Sequence, residues 1–179
     1  MTARAEFLAY EPGCARCPVM VVAKPPYSRL ATAVHEAGHA VVARHFGVPA
    51  TTARVFDRPD EALIAGQIVI DPCCAPIGAF SDSDTEFSDE DLRVGSLNAA
   101  SLFLAGMQAQ LLLDGVEFPC AVDFNDEDTQ RAREVLVERF GNDGALWHCQ
   151  RMARQVLRSR WGEVEQLASR LLEEGVVAL

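Results

Sequence analysis

Residues 28–47 read SRLATAVHEAGHAVVARHFG, and this stretch is typical of an amphipathic helix with a marked beginning and end. Ser28 is a preferred N-cap residue, and Gly47 is a common helix stop that follows Phe46. Apolar residues recur between them at helical spacing: Leu30, Val34, Ala37, Val41 and Val42. We therefore predict a helix that runs from Ser28 to about Phe46.

The same stretch contains His35-Glu36-Ala37-Gly38-His39, an H-E-x-x-H motif. Residues four apart lie on one face of a helix, so both imidazoles could bind one Zn²⁺ ion at about 2.0–2.1 Å. Glu36 is offset by one position, where it could hold a water molecule rather than the ion. The motif therefore predicts a metal-dependent peptidase site, with His35 and His39 as metal ligands and Glu36 as the catalytic base.

The composition fits one globular domain with a strongly acidic balance. The 179 residues include 26 acidic and 16 basic side chains, which gives a net charge of −10. This charge argues against nucleic acid or an anionic membrane as the main partner. The first residues lack the long apolar core of a secretory signal, so we expect a cytoplasmic protein. The six cysteines are then expected to be reduced: Cys14, Cys17, Cys73, Cys74, Cys120 and Cys149.

The remaining pattern predicts an α+β fold that is mainly α-helical. Residues 1–27 contain four prolines and are interpreted as a surface arm with a short strand at 19–22. Two β-rich runs, 51–56 and Leu63–Ile70, predict a small β-sheet. After this sheet, four helices are predicted, at 97–113, 123–139, 143–160 and 162–175. The last of these helices are predicted to form a C-terminal bundle. No linker or repeat interrupts this order, so 28–179 is predicted to be one domain.

Three further segments are interpreted by their charge and apolarity. The acidic segment 82–91 and the helix face with Arg151, Arg154 and Arg158 are predicted to be solvated surface. The apolar segment 97–113 is interrupted by polar residues and is predicted to be a buried helix rather than a membrane span.

A catalytic zinc ion needs a third protein ligand, and the residues alone leave several candidates. His45 follows His39 by six residues, but a continuing helix would place it roughly 120° around the axis and about 9 Å along it. Glu61 is the next candidate, in the turn between the two predicted strands. Asp126 and Asp128 lie at the predicted start of a later helix and are the stronger candidates.

Three motifs together resemble the FtsH-type zinc metalloproteases, peptidase family M41. The first is the H-E-x-x-H motif with the residues that follow it, 35–42. The second, 104–115, is similar to the family's helix of form L-G-G-R-A-A-E-x-x-x-x-G, although Met107 and Gln110 replace its Arg and Glu. The third, 125–136, is similar to the family's N-D-L-x-x-A-T-x-x-A segment, whose Asp is a zinc ligand. The resemblance implies Asp128 as the third ligand, with Asp126 as the alternative if the register differs by two.

The resemblance spans roughly residues 28–175 and implies a stand-alone zinc endopeptidase domain that cleaves unfolded or flexible polypeptides. Family members join this domain to an ATP-driven unfoldase and a membrane anchor. This sequence has no G-x-x-x-x-G-K-[ST] loop, and Lys24 is its one lysine, so a partner ATPase or adaptor would act in trans. Two alternatives stay open: a catalytically silent zinc-binding pseudo-protease with a regulatory role, and a packed helix that binds no metal.

Overall fold

The structure is a computed structural model that describes residues 28–58, 63–70, 88–116 and 126–179. These residues form eight elements: α1 (Arg29–His45), β1 (Ala50–Arg58), β2 (Leu63–Ile70), α2 (Asp89–Leu113), α3 (Glu127–Phe140), α4 (Leu146–Ser159), α5 (Trp161–Glu174) and β3 (Val176–Ala178). The predicted α+β, mainly helical fold class is thereby confirmed. The predicted arm 1–27, with its strand at 19–22, lies outside the described residues.

Helix α1 lies in the interior of the fold, where it packs against α2, α5 and the sheet. It begins as predicted, since the Ser28 side chain accepts a hydrogen bond from the Ala31 N–H at 3.0 Å. It ends at His45 with Phe46 as its C-cap, and Gly47 follows with a φ of 71°, which suits a residue without a side chain. A Cβ added to Gly38 would lie 2.7 Å from the Ala109 Cβ, so the bare backbone at this position lets α1 and α2 pack closely. The H-E-x-x-H motif is therefore carried into the core.

The sheet has the strand order β2-β1-β3, with both pairs antiparallel. The side chains of strand β1 point alternately to the core and to solvent: Ala53 and Val55 are buried, and Arg54 between them is exposed. Strand β3 pairs with it through Val177, which is buried opposite Ala53. The sequence did not predict β3, because three residues are too short for an alternating pattern to stand out.

Helix α2 is longer than predicted, because it begins at Asp89 and not at residue 97. Ser88 caps its first turn in a capping box: its side chain accepts from the Asp91 N–H while Asp91 accepts from the Ser88 N–H. Part of the acidic segment 82–91 is thus the first turn of a helix, where carboxylates are favoured by the helix dipole. Residues 82–87 lie outside the described part of the chain.

By length and composition α2 could cross a membrane, with a mean hydropathy of 1.2 over its most apolar window. However, 56% of that window is buried inside the fold, where α2 contacts α1, α3 and α4. One such helix is weak support for a membrane span, since the core helix of a globular protein has the same composition. The burial agrees with the predicted buried helix.

Two apolar clusters meet along α2. The first includes Val42 of α1, Val55 of β1, Ala105 of α2 and Leu171 of α5. The second is formed by residues of α2, α3 and α4: Ala100, Leu104, Ala132, Leu136, Leu146 and Cys149. Cys149 is a buried free thiol, and the other five cysteines lie outside the described residues. Helix α2 therefore contributes opposite faces to two cores.

The prediction that Arg154 is part of a solvated face was wrong. Arg151 and Arg158 are exposed, but Arg154 is 4% exposed. Its guanidinium donates to the Gln108 side-chain oxygen of α2 at 3.3 Å and to the Val116 carbonyl. Arg154 therefore faces the packed side of α4 and joins α4 to the end of α2, which the charge pattern alone does not reveal.

Candidate metal centre

Three side chains from two helices converge at one point beside α1. His35 and His39 are one turn apart on α1, and Asp128 is in the first turn of α3. The Asp128 Oδ2 lies 3.1 Å from the His35 Nε2 and 3.2 Å from the His39 Nε2. The two Nε2 atoms are 3.0 Å apart. The three residues form a group that could hold a metal ion.

The spacing of these atoms suits a small tetrahedral ion. Two ligand atoms bound to tetrahedral zinc at about 2.0–2.1 Å are about 3.3 Å apart. The separations of 3.0, 3.1 and 3.2 Å between the three atoms are close to this value. Two imidazoles and one carboxylate are also a common set of zinc ligands. The arrangement therefore fits zinc without a change of fold.

The two imidazoles are oriented by different means. The Nδ1–H of His39 donates to the Leu102 carbonyl of α2 at 2.8 Å, which directs the Nε2 lone pair toward the candidate centre. The Nδ1 of His35 is buried and has no hydrogen-bond partner in the part of the chain that the structure describes. The His35 ring stands edge-on to His39, with centroids 4.7 Å apart. Within the described ranges, His39 alone therefore has the second hydrogen bond that usually orients a ligating histidine.

The alternative third ligands occupy other places. The Asp126 side chain caps α3 by accepting from the Thr129 N–H at 3.1 Å, so this carboxylate belongs to the helix end. His45 is exposed at the end of α1, where its ring packs against Phe46. Glu61 lies outside the described residues. The structure thus places Asp128 at the centre and separates Asp126 and His45 from it.

Charge couples the three candidate ligands. Burial alone would lower the pKa of His39, but the hydrogen bond and negative charge of Asp128 outweigh burial and raise this pKa to about 9. Burial would raise the pKa of Asp128, but hydrogen bonds from His35 and His39 outweigh it and hold this pKa well below its usual range. At neutral pH, His39 is therefore protonated, and its positive charge lies where a metal ion would bind.

Glu36 lies beside the three candidate ligands. The residue is 6% exposed, and its carboxylate packs against the backbone of Gly66 on β2. Burial raises the pKa of Glu36, opposed by the nearby His39 and His35. A carboxylate with a raised pKa is a better proton acceptor, which suits the predicted role of a general base.

Two residues that differ from the FtsH-type helix pattern, Met107 and Gln110, lie on α2. Gln110, which stands where the family has Glu, donates from its side-chain amide to the Ala31 carbonyl of α1 at 3.3 Å. Met107, which stands where the family has Arg, is partly buried. Gln110 therefore joins α2 to the beginning of the motif helix.

No protein-family model matches the chain, and no curated protein sequence matches it. The resemblance to FtsH-type proteases therefore remains a hypothesis that rests on the three motifs. What the structure adds is the placement of His35, His39, Asp128 and Glu36 around one point.

Proposed function

We propose that the protein is a zinc-dependent metallopeptidase of the FtsH type that hydrolyses peptide bonds in unfolded or flexible polypeptides of the cytoplasm. One observation carries the proposal: Asp128, about 90 positions from the motif, meets both His35 and His39 while Glu36 lies beside them. Two imidazoles and a partly exposed carboxylate share one point there, and this donor set is one that a zinc ion suits.

In the proposed reaction, His35, His39 and Asp128 would hold the ion. Zinc, when bound, supplies Lewis acidity, which makes water more acidic and polarises a carbonyl oxygen. Glu36 accepts a proton from the attacking water, whose oxygen forms a bond to the carbonyl carbon of the substrate. Glu36 then donates that proton to the departing nitrogen as the C–N bond breaks, leaving a carboxylic acid and an amine.

Strand β2 supports a polypeptide as the substrate. Among the described residues it pairs with β1 on one side and is therefore an edge of the sheet. Gly66 of this strand contacts Glu36, so a segment that adds to β2 would pass close to the base. Strand addition relies on main-chain hydrogen bonds, which favours extended segments over folded ones. Folded substrates would require an unfolding ATPase or adaptor that acts in trans.

The proposal is tested by Glu36→Gln in a cleavage assay with a disordered casein-like protein. We expect the variant to bind zinc as the wild type does and to cleave at least about 100-fold more slowly, because the base is lost while the ligands remain. A chelator should abolish cleavage by the wild type, and added zinc should restore it. Cleavage by Glu36→Gln at the wild-type rate would contradict the mechanism. Zinc binding without cleavage by the wild type would instead identify a pseudo-protease.

A further inference from the structure

Two glycines from different elements face the H-E-x-x-H motif at contact distance. Gly106 of α2 lies against the ring of His35, and Gly66 of β2 lies against the carboxylate of Glu36. Neither glycine has a positive φ, so the backbone conformation does not explain the absence of a side chain. At both positions the nearest atoms to an added Cβ belong to one side chain of the motif.

At Gly106 the space for a Cβ is filled by an imidazole. An added Cβ would lie 2.5 Å from both Cδ2 and Cε1 of His35, and closer still to Nε2, which is the candidate ligand atom. Because His35 Nδ1 has no hydrogen-bond partner among the described residues, the ring is positioned by its Nε2 contact with Asp128, by the edge of His39 and by packing against this glycine. In an α-helix the Leu102 carbonyl also accepts the N–H of residue 106, so one turn of α2 orients both histidines.

At Gly66 the space is filled by the general base of the proposed reaction. An added Cβ would lie 2.5 Å from Cγ and 2.6 Å from Cδ of Glu36, and closer still to Oε1. A glutamate side chain can rotate away from such a contact, so the strand can keep its place while the carboxylate leaves it. The position is thus one where a methyl group would move a catalytic atom more than it disturbs the fold.

We propose that Gly106 and Gly66 are positioning residues with separate tasks: Gly106 holds the His35 imidazole for the metal, and Gly66 holds the Glu36 carboxylate for the water. The second task rests on the proposed peptidase function, whereas the first requires only that the site binds zinc. Gly38 differs from both, because a Cβ there would meet Ala109 and the Ala105 backbone, which is helix packing.

The test compares Gly106→Ala and Gly66→Ala with Gly162→Ala, since nothing lies within 4 Å of a Cβ at position 162. Zinc affinity is measured by competition with a chromogenic chelator, the geometry of the site by the visible spectrum of the cobalt-loaded protein, and cleavage with the casein-like substrate. We expect Gly106→Ala to weaken zinc binding at least tenfold and to change the cobalt spectrum. Gly66→Ala should bind zinc within threefold of the wild type and lose at least tenfold in kcat/KM. Gly162→Ala should match the wild type in every measurement.

A double-mutant cycle on chelated protein gives a readout that needs no activity. Gly66→Ala should lower the melting temperature in the wild-type background but not in Glu36→Ala, where no carboxylate remains to be displaced. Gly106→Ala should behave likewise toward His35→Ala. Additive effects, wild-type zinc affinity in Gly106→Ala, or loss of folding in either glycine variant would overturn the proposal for that glycine. If the wild-type protein binds zinc but does not cleave the substrate, the peptidase function is refuted. The two double-mutant cycles and the zinc affinities would still show whether Gly66 positions Glu36 and Gly106 positions His35.

Discussion

Replacing Asp128 by asparagine keeps the size of the side chain but removes the carboxylate that meets both histidines. Even residues that touch only the ligands of a metal change its affinity by about 10–100-fold when they are replaced. We therefore expect D128N, which alters a proposed ligand itself, to weaken zinc binding by at least about 100-fold, or about 2.7 kcal/mol. The variant should lose its zinc on dialysis against a chelator that leaves the wild type loaded.

The same substitution should act on protein from which the metal has been removed. The pKa of about 9 at His39, against 6.5 for the ordinary side chain, corresponds to up to about 3 kcal/mol of stability at pH 7 or below. Without Asp128, burial would still lower the pKa of His39, opposed by the charge of Glu36 and the Leu102 carbonyl, so we expect this pKa to fall and most of that stability to be lost. We expect chelated D128N to melt up to about 10 °C below the chelated wild type at pH 7, as followed by circular dichroism.

Asp126→Asn is the matched control, because it makes the same chemical change two residues earlier. Asparagine is as good an N-cap as aspartate, so the hydrogen bond from the Thr129 N–H is kept. We expect D126N to bind zinc within about threefold of the wild type and to melt within about 2 °C of it. Zinc loss in D126N with normal binding in D128N would show that the third ligand is Asp126 and that the placement of α3 is wrong.

Two further predictions concern pH and packing. Because the raised pKa of His39 stabilises the folded chain below that pKa, the melting temperature of the chelated protein should fall between pH 7 and about 9.5. Zinc affinity should rise by about tenfold per pH unit from pH 7 to 9, because the ion displaces the His39 proton. A melting temperature that rises over this range, or an affinity that does not change, would contradict the charge pairing. Leu136→Ala should destabilise the protein by about 2–5 kcal/mol in urea unfolding, since Leu136 has no exposed surface. Val137→Ala, at a neighbouring position that is 47% exposed, should change stability by about 0.5 kcal/mol or less; similar losses in both variants would contradict the placement of α3.

The motif helix was predictable because its signals are local. An N-cap residue, a repeat of apolar positions and a closing glycine are all contained in 20 residues, and they place His35 and His39 on one face without reference to the rest of the fold. Strand β2 was predicted with the bounds that the structure has, because apolar residues, several of them β-branched, lie on both sides of Gly66 and Gln67 between Leu63 and Ile70. In both cases short-range periodicity was sufficient.

The choice between Asp126 and Asp128 could not be made from the residues alone and came from the resemblance. A signal for it was nevertheless present. Asp126 is followed three residues later by Thr129, and the structure shows the N-cap hydrogen bond that this spacing allows. An aspartate engaged at the helix end is a poorer candidate for a ligand, so capping could have favoured Asp128. The direction of α3 toward α1 is a tertiary property that no local pattern contains.

Two of the errors share a physical origin in side chains that serve two purposes. The carboxylates at 89–91 are solvated and also form the first turn of α2. Their charge was interpreted as solvated surface alone, so the start of α2 was placed too late. Arg154 has a long apolar stem that can lie in a packed interface while its guanidinium finds oxygen acceptors. The contacts of Gly66 and Gly106 were missed because a close approach between elements that are distant in the sequence produces no periodic pattern of residues.

In the described part of the chain, α3 packs on α2 and α4 and has no packing contact of its own with α1. Asp128 is therefore a direct link between the cluster around α1 and the cluster built on α3 and α4. An ion bound there would join the two apolar clusters, which among the described elements otherwise share only α2 and α4. The loaded protein would then melt as one cooperative unit, whereas chelation would allow the α3 half to open first.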